Sequence, residues 1–297
     1  MRAIGWASSS LVAIATMASA LHAQQKVLAG YSTTPNASVR LFAAVGTVQV
    51  IGWERDSVEL SGAVAADSRV ALSAPSPGKL EGLKVFIEAA TEQSGREGML
   101  TMRVPRGARV WVKTGSARIA VSDVEGGLDL NVVGGSIDVR GSPRELRAES
   151  MDGAVTVDGA PEWMRVKTAT GDIVLRGGGQ NLGASTISGS IDARDGQTER
   201  ATLETTTGQI HFALAVARGA SIELETHSGA IDIQLARKAD VELDAATVTG
   251  TIDNAWSRAR PAAGREGRGM TLGTSGGPSS GRIVVRSFKG RIALRGS

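Results

Sequence analysis

A short phrase returning at near-constant spacing constrains this chain more than any other feature. It reads Thr170-Gly171-Asp172-Ile173, Ser188-Gly189-Ser190-Ile191, Thr207-Gly208-Gln209-Ile210, Ser228-Gly229-Ala230-Ile231 and Thr249-Gly250-Thr251-Ile252. Looser copies are Gly135-Ser136-Ile137 and Gly153-Ala154-Val155, with Ile119 as a first member. The anchors Ile119, Ile137, Val155, Ile173 and Ile191 stand 18 residues apart, and the later steps are 19, 21 and 21. A fixed period near 20 marks a solenoid, whose single repeat cannot bury an apolar face without its neighbours.

Each repeat holds two short alternating runs. Before the glycine, Met164, Val166, Thr168 and Thr170 share one parity and Arg165, Lys167 and Ala169 the other; after it come pairs such as Ile173/Leu175 and Ile231/Ile233. Period-two alternation predicts strands with one face inside. Glycine is expected at the corner because the chain turns tightly there, often through positive φ. Stacked coils would then form ladders of like residues, isoleucine on isoleucine, and Ser or Thr on Ser or Thr just before the glycine. Those hydroxyls can bond to one another and to the turning backbone. Eight or so coils would make a rod roughly 40 Å long at the strand spacing of a sheet.

The expected fold is therefore all-β, a parallel β-solenoid (β-helix-like) with coils of 18–21 residues. Residues 24–107 read as an irregular N-terminal β cap, 108–253 as regular coils and 254–297 as loop-interrupted closing coils of one domain. In the last segment the rhythm returns once, at Val285–Ile292, with Gly290 and Ile292 in the repeat positions. Thirty-eight glycines against ten aromatics suit thin, aliphatic layers with many turns.

Residues 1–23 have the build of a secretory signal: Arg2, the apolar centre Leu11–Ala15, and small-residue cleavage sites at Ala18-Ser19-Ala20 or Leu21-His22-Ala23. The expected location is exported, in the periplasm or at the cell surface. No transmembrane span is expected in the mature chain. Without cysteine there are no disulfides, thiolate metal sites or Cys-linked lipid.

Net charge is +3, unevenly placed: residues 254–297 carry +8 and residues 24–253 carry −6. The basic end makes Arg258, Arg260, Arg265 and Arg268 the candidate contact for an anionic glycan or lipid surface, through attraction that salt weakens. Export argues against nucleic acid. The alternative is that these arginines are a solvated loop.

Catalytic, cofactor and metal sites are not expected. His211 and His227 lie 16 residues apart, close to one coil, yet lack further ligands for zinc. Asp138, Asp192, Asp232 and Asp253 each follow a corner isoleucine and could stack, but Val174 and His211 interrupt the series. They read as solvated outer charge. Gly177-Gly178-Gly179 lacks the Lys-Ser/Thr of a phosphate loop. A carbohydrate-active solenoid enzyme would carry a clustered site on a loop-decorated face, which uniform short coils do not suggest.

Three stretches carry a family resemblance. One is Gly46-Thr47-Val48-Gln49-Val50-Ile51-Gly52-Trp53 followed by Asp56-Ser57-Val58-Glu59-Leu60. The second is Leu100-Thr101-Met102-Arg103-Val104-Pro105-Arg106-Gly107-Ala108 leading into the coils; the third is the Ser/Thr-Gly-x-Ile phrase. Together they resemble a bacterial putative adhesin domain family, an exported β-strand-repeat domain of unknown function. The resemblance implies a β-solenoid outside the cytoplasm. The expected role is a non-catalytic, adhesin-like binding module of the envelope, or else a structural or stress-response component acting through a protein partner.

Overall fold

The computed structural model describes residues 24–73, 82–91, 93, 98–264 and 269–297. The expected leader, residues 1–23, lies outside them, as do Arg265 and Arg268. The described chain is a β-solenoid, built almost wholly of strands, most of them paired in parallel.

In chain order the first elements are β1 (Gln24–Ser32), β2 (Ser38–Ala43), β3 (Thr47–Trp53), β4 (Ser57–Ala65), β5 (Arg69–Ser73), β6 (Leu83–Glu88) and β7 (Met99–Pro105). The regular coils follow as β8 (Arg109–Ser116), β9 (Arg118–Ser122), β10 (Gly127–Gly134), β11 (Ile137–Arg140), β12 (Glu145–Ser150), β13 (Val155–Asp158) and β14 (Trp163–Thr168). Three long strands continue the stack: β15 (Ile173–Thr186), β16 (Ile191–Thr205) and β17 (Ile210–Thr226). The chain closes with β18 (Ile231–Leu235), β19 (Val241–Thr247), β20 (Ile252–Asn254), β21 (Ala262–Ala263), β22 (Met270–Thr274), β23 (Gly281–Ser287) and β24 (Ile292–Gly296).

Each coil places the strand before its corner in a first sheet and the strand after it in a second. Thus β8, β10, β12 and β14 pair in parallel in the first sheet, and β9, β11, β13 and the start of β15 in the second. β15, β16 and β17 each run from the second sheet of one coil into the first sheet of the next, with register shifts where β15–β16 and β16–β17 bend. Between the sheets lies the apolar ladder that the period predicts. Ile119, Ile137, Val155, Ile173, Ile191, Ile210 and Ile231 are fully buried in successive coils. Identical branched side chains at one spacing fill the thin core without voids, which suits an interior poor in aromatics.

The corner glycines hold their place for a reason other than backbone freedom. Gly135 alone of the eight has positive φ, at 139°. For the rest the constraint is close approach. A Cβ on Gly153, Gly171, Gly189, Gly208, Gly229, Gly250 or Gly290 would stand 1.6–2.1 Å from the carbonyl oxygen of a neighbouring corner glycine. No other residue fits such a stack.

The hydroxyl ladder also differs from expectation. The residue directly before the glycine (Thr170, Ser188, Thr207, Ser228, Thr249) is exposed, because the strand ends two positions earlier and the corner breaks the alternation. The inward ladder is Ser150, Thr168, Thr186, Thr205, Thr226, Ser287 and Thr247, all buried. These hydroxyls bond to backbone rather than to each other. Ser150, Thr186, Thr205, Thr226, Thr247 and Ser287 accept from the N–H of the glycine three residues on, at 2.7–3.1 Å. Ser150, Thr186, Thr205 and Thr247 also donate to a glycine carbonyl of the adjoining coil, at 3.1–3.4 Å. Buried polar backbone at the corner is thereby satisfied without water.

At both ends the order in space departs from the order in sequence. The coil β2–β3 lies between β6–β7 and β8–β9. The returning coil β23–β24 likewise does not stack last; it lies between the coil of β17 and β18 and the coil β19–β20. The glycine row records the same order, since Gly290 abuts Gly229 and Gly250 abuts Gly290. With these insertions the stack has eleven coils and is about 50 Å long. It exceeds the expected eight because the 24–107 region supplies two full coils and residues 281–296 another.

Antiparallel strands cover the ends. β5 lies on β6, β4 on β7, β1 on β4, and β22 with β21 on β19. Such caps cover the parallel edges of the end coils.

Candidate functional site

The basic C-terminal segment divides in the fold. Arg258 and Arg260 are exposed beyond β20. Arg282, Arg286, Arg291 and Arg295 sit on the inserted coil and meet carboxylates of its two neighbours. Arg286 reaches Asp244 at 2.6 Å, Arg282 reaches Glu242 at 3.7 Å, Arg291 joins Asp232 at 3.7 Å and Asp253 at 3.8 Å, and Arg295 joins Asp232 at 3.7 Å. The Arg286 guanidinium also donates to the Asp244 carbonyl at 2.9 Å. Its hydrogen bond to the Asp244 carboxylate holds that carboxyl below the usual range, against a smaller opposing effect of burial. The charge asymmetry of the sequence is thus partly spent inside the fold.

The other polar residues singled out by sequence do not assemble. Asp192 and Asp232 are separated in their row by His211, and Asp232 and Asp253 by Ala293, so the carboxylates are not stacked on one another. His211 lies in the second sheet, whereas His227 follows the first-sheet part of β17 and stacks on Phe288 with ring centroids 5.0 Å apart. No group of three or more His, Asp or Glu among the described residues is placed to hold a metal.

What sequence reading missed lies on the outer face of the first sheet. The 18-residue register aligns Arg109, Gly127, Glu145, Trp163, Asn181 and Arg200 in one row. Arg40, Trp111, Asp129, Arg147, Arg165 and Gly183 form the next, and Phe42, Lys113, Asn131, Glu149, Lys167 and Ser185 a third. Guanidiniums stack on both indoles: Arg40 and Arg109 lie 5.0 and 5.9 Å from the Trp111 ring, and Arg147 lies 5.6 Å from that of Trp163. Such contacts hold long side chains over the face and leave their in-plane N–H groups free to donate. The signal was present in Arg109-Val110-Trp111-Val112-Lys113 and Trp163-Met164-Arg165-Val166-Lys167, whose outward positions each combine one indole with two cations.

The same face changes sign along the rod. From β16 onward its outward residues include Glu204, Glu223, Glu225, Glu242 and Asp244, with Arg200, Arg282 and Arg286. A basic, indole-bearing half thus adjoins an acidic half. The corner beside it carries exposed apolar side chains: Val133, Met151, Ile187, Phe288 and Val248.

Comparison with known proteins adds the following. No curated protein matches the chain. A structure described as a putative adhesin from Bacteroides fragilis shares 12% identity over 92% of this chain and 97% of its own, with a TM-score of 0.43. One described as a putative lipid binding protein from Parabacteroides distasonis shares 10% over 90% and 96%, at 0.42. A putative cell adhesion protein from Clostridium sporogenes shares 8% over 92% and 100%, at 0.24. Residues 81–260 match the family model described as Toastrack DUF4097, and the chain belongs to that family.

Proposed function

We propose that this protein is a non-catalytic, exported, adhesin-like binding module of the cell envelope that works through the outer face of its first sheet. The observation that carries this reading is the basic, aromatic half of that face, where cations share three rows with two indoles. A ladder whose core and corners are this tightly determined leaves its outward positions free to vary, so they are where recognition can be written. Export is supported by the build of residues 1–23. Among the described residues no helix is long and apolar enough to cross a membrane. Acid–base chemistry needs a recess that pairs and tunes its groups, whereas these carboxylates stand on open rows.

The test is binding of the purified protein to isolated cell envelopes, with export followed by mass measurement of the processed N-terminus. Charge reversal at Arg165 and Lys167 should weaken binding about tenfold or more, the equivalent of ~1.4 kcal/mol. Changing Arg258, Arg260, Arg265 and Arg268 to Ser measures the share of the basic C-terminal segment. Envelope binding that neither set of substitutions alters would sink the proposed surface, and an unprocessed cytoplasmic protein would sink the location.

A second reading, a structural or stress-response component acting through a protein partner, is favoured by β1. Among the described residues this nine-residue strand pairs with β4 on one side only; it has no proline and exposes Leu28. A regular free edge invites an added strand. Lys26→Pro and Leu28→Lys would abolish partner capture under that reading and leave envelope binding by the first sheet intact.

A further inference from the structure

Two hollows lie along the basic half of the first sheet. One, of about 790 Å³, is lined by Ser38, Arg109, Trp111, Arg144, Glu145 and Trp163. The other, of about 340 Å³, begins at Trp163 and continues past Arg165, Asn181 and Arg200 to the carboxylate of Glu204. Trp163 lines both, so they lie end to end along the rod as one interrupted trough with its indole between them. Gly127 leaves room for the Arg109 side chain, which lies over it towards Glu145.

The charge in and beside the trough is unbalanced. Arg109 and Arg147 have only long pairs, to Glu145 at 4.0 Å and Asp129 at 3.9 Å. Arg40, Arg144, Arg165 and Arg200 have no ion pair among the described residues, and Arg200 is anchored instead by donating to the Asn181 side-chain oxygen. Guanidiniums stand on the β2, β8, β12, β14 and β16 coils (Arg40, Arg109, Arg147, Arg165 and Arg200), one or two coils apart at about 4.8 Å per coil, and the two indoles lie three coils, about 14 Å, apart. A ligand that fits must be elongated, carry anionic groups at intervals of one or two coils, and offer flat C–H faces to the indoles.

We infer that this trough binds a linear acidic polysaccharide, with its carboxylate or sulfate groups on the arginines and its sugar rings against Trp111 and Trp163. The inference rests on the binding-module reading and names its ligand class. One pyranose unit is comparable in length with one coil, so acidic sugars one or two units apart along a strand reach the arginine-bearing coils. A lipid bilayer fits less well, since both indoles are half-buried within the trough and the exposed apolar side chains stand on the adjoining corner.

The experiment measures binding of the intact protein to polygalacturonic acid, neutral dextran, phosphatidylglycerol vesicles and single-stranded DNA across a salt series. Polygalacturonic acid should bind tightest and dextran not at all. Trp111→Ala with Trp163→Ala should lose tenfold or more at every salt concentration. Arg165→Ser with Arg200→Ser should flatten the salt dependence, and Trp163→Phe should retain most of the affinity. Thermal unfolding of each variant checks that the fold persists. Equal binding by wild type and trough variants overturns the site. Tighter binding to vesicles or DNA, or no binding to the acidic polymer, overturns the ligand class. Envelope binding that survives either failure leaves the broader reading standing, and its loss removes both.

Discussion

The middle of the rod and its closing end obey the same corner rule but are ordered by different forces. From β8 to β17, consecutive coils stack in sequence, and glycine contact, buried hydroxyls and aliphatic ladders fix each on the last. At the closing end those features persist across Gly229, Gly290 and Gly250, yet the order in space is reversed. Outward charge accounts for the difference. Stacked directly on the coil of β17 and β18, β19 and β20 would bring Asp244 opposite Glu223 and Asp253 opposite Asp232. Like charges directly opposite destabilise a sheet. The coil that carries Arg282, Arg286, Arg291 and Arg295 separates them and pairs with both sides. A repeat settles how coils touch, and charge on the outer face settles which coil comes next.

The comparison can be broken first at the glycines. Gly208→Val and Gly290→Val introduce the same clash, with a Cβ 1.7 Å from a carbonyl oxygen. In the middle the change should cost about 4 kcal/mol or more and abolish cooperative unfolding. In the inserted coil it should release β23–β24 while β8–β16 stay protected, as hydrogen exchange would show. Equal loss of protection everywhere would mean the closing end is not a separable unit. Gly115→Ala, with nothing within 4 Å of the added carbon, should stay within about 0.5 kcal/mol of the native protein.

Cross-linking tests the order itself. Ser221 and Arg282 are direct neighbours in the register of β17 with β23, and the chain has no native cysteine. Ser221→Cys with Arg282→Cys should close a disulfide under oxidation and stabilise by up to about 4 kcal/mol. Failure to form while Glu223→Cys with Asp244→Cys succeeds would restore sequential stacking.

The hydroxyl ladder comes next. Thr205→Val keeps the shape but orphans the buried Gly208 N–H and the Gly189 carbonyl. It should cost about 1–3 kcal/mol in chemical denaturation, and a smaller value would demote the ladder to packing.

The smallest effect is electrostatic. The folded-state pKa of Asp244 is depressed, so its stabilising contribution is complete above the unfolded value near 3.9. It is lost as pH falls through the lower folded value. Both partners are about two-fifths exposed, so the pair should be worth about 1 kcal/mol or less. Asp244→Asn should flatten stability between pH 5 and the acid limit, and an unchanged acid profile would show that other carboxylates carry it.

Much of the fold was legible because its rule is local and repeated. Gly171 to Ile173, read against Gly189 to Ile191, gives period, corner and inward parity together. What escaped was non-local. No pattern within residues 281–297 says that Ile292 lies between Ile231 and Ile252, since that depends on carboxylates up to sixty residues away. The indole–guanidinium contacts across coils escaped for another reason: they form only after coils are aligned, when Arg40 reaches Trp111 and Arg147 reaches Trp163 from the adjoining coil. Attention to the basic tail, whose four inner arginines are engaged in ion pairs, drew the eye from cations spread through an acidic body.

The two inserted terminal coils also bear on how the molecule is made. The first coil to be synthesised, residues 38–53, keeps both strand edges open until residues 83–122 have followed. At the other end, residues 241–254 have no parallel neighbour until the final segment has arrived. Completion of the rod is therefore a late event that requires the whole chain. A copy truncated between residues 254 and 281 lacks the coil that sits between β17–β18 and β19–β20, and the facing edges of both are left without their parallel partner.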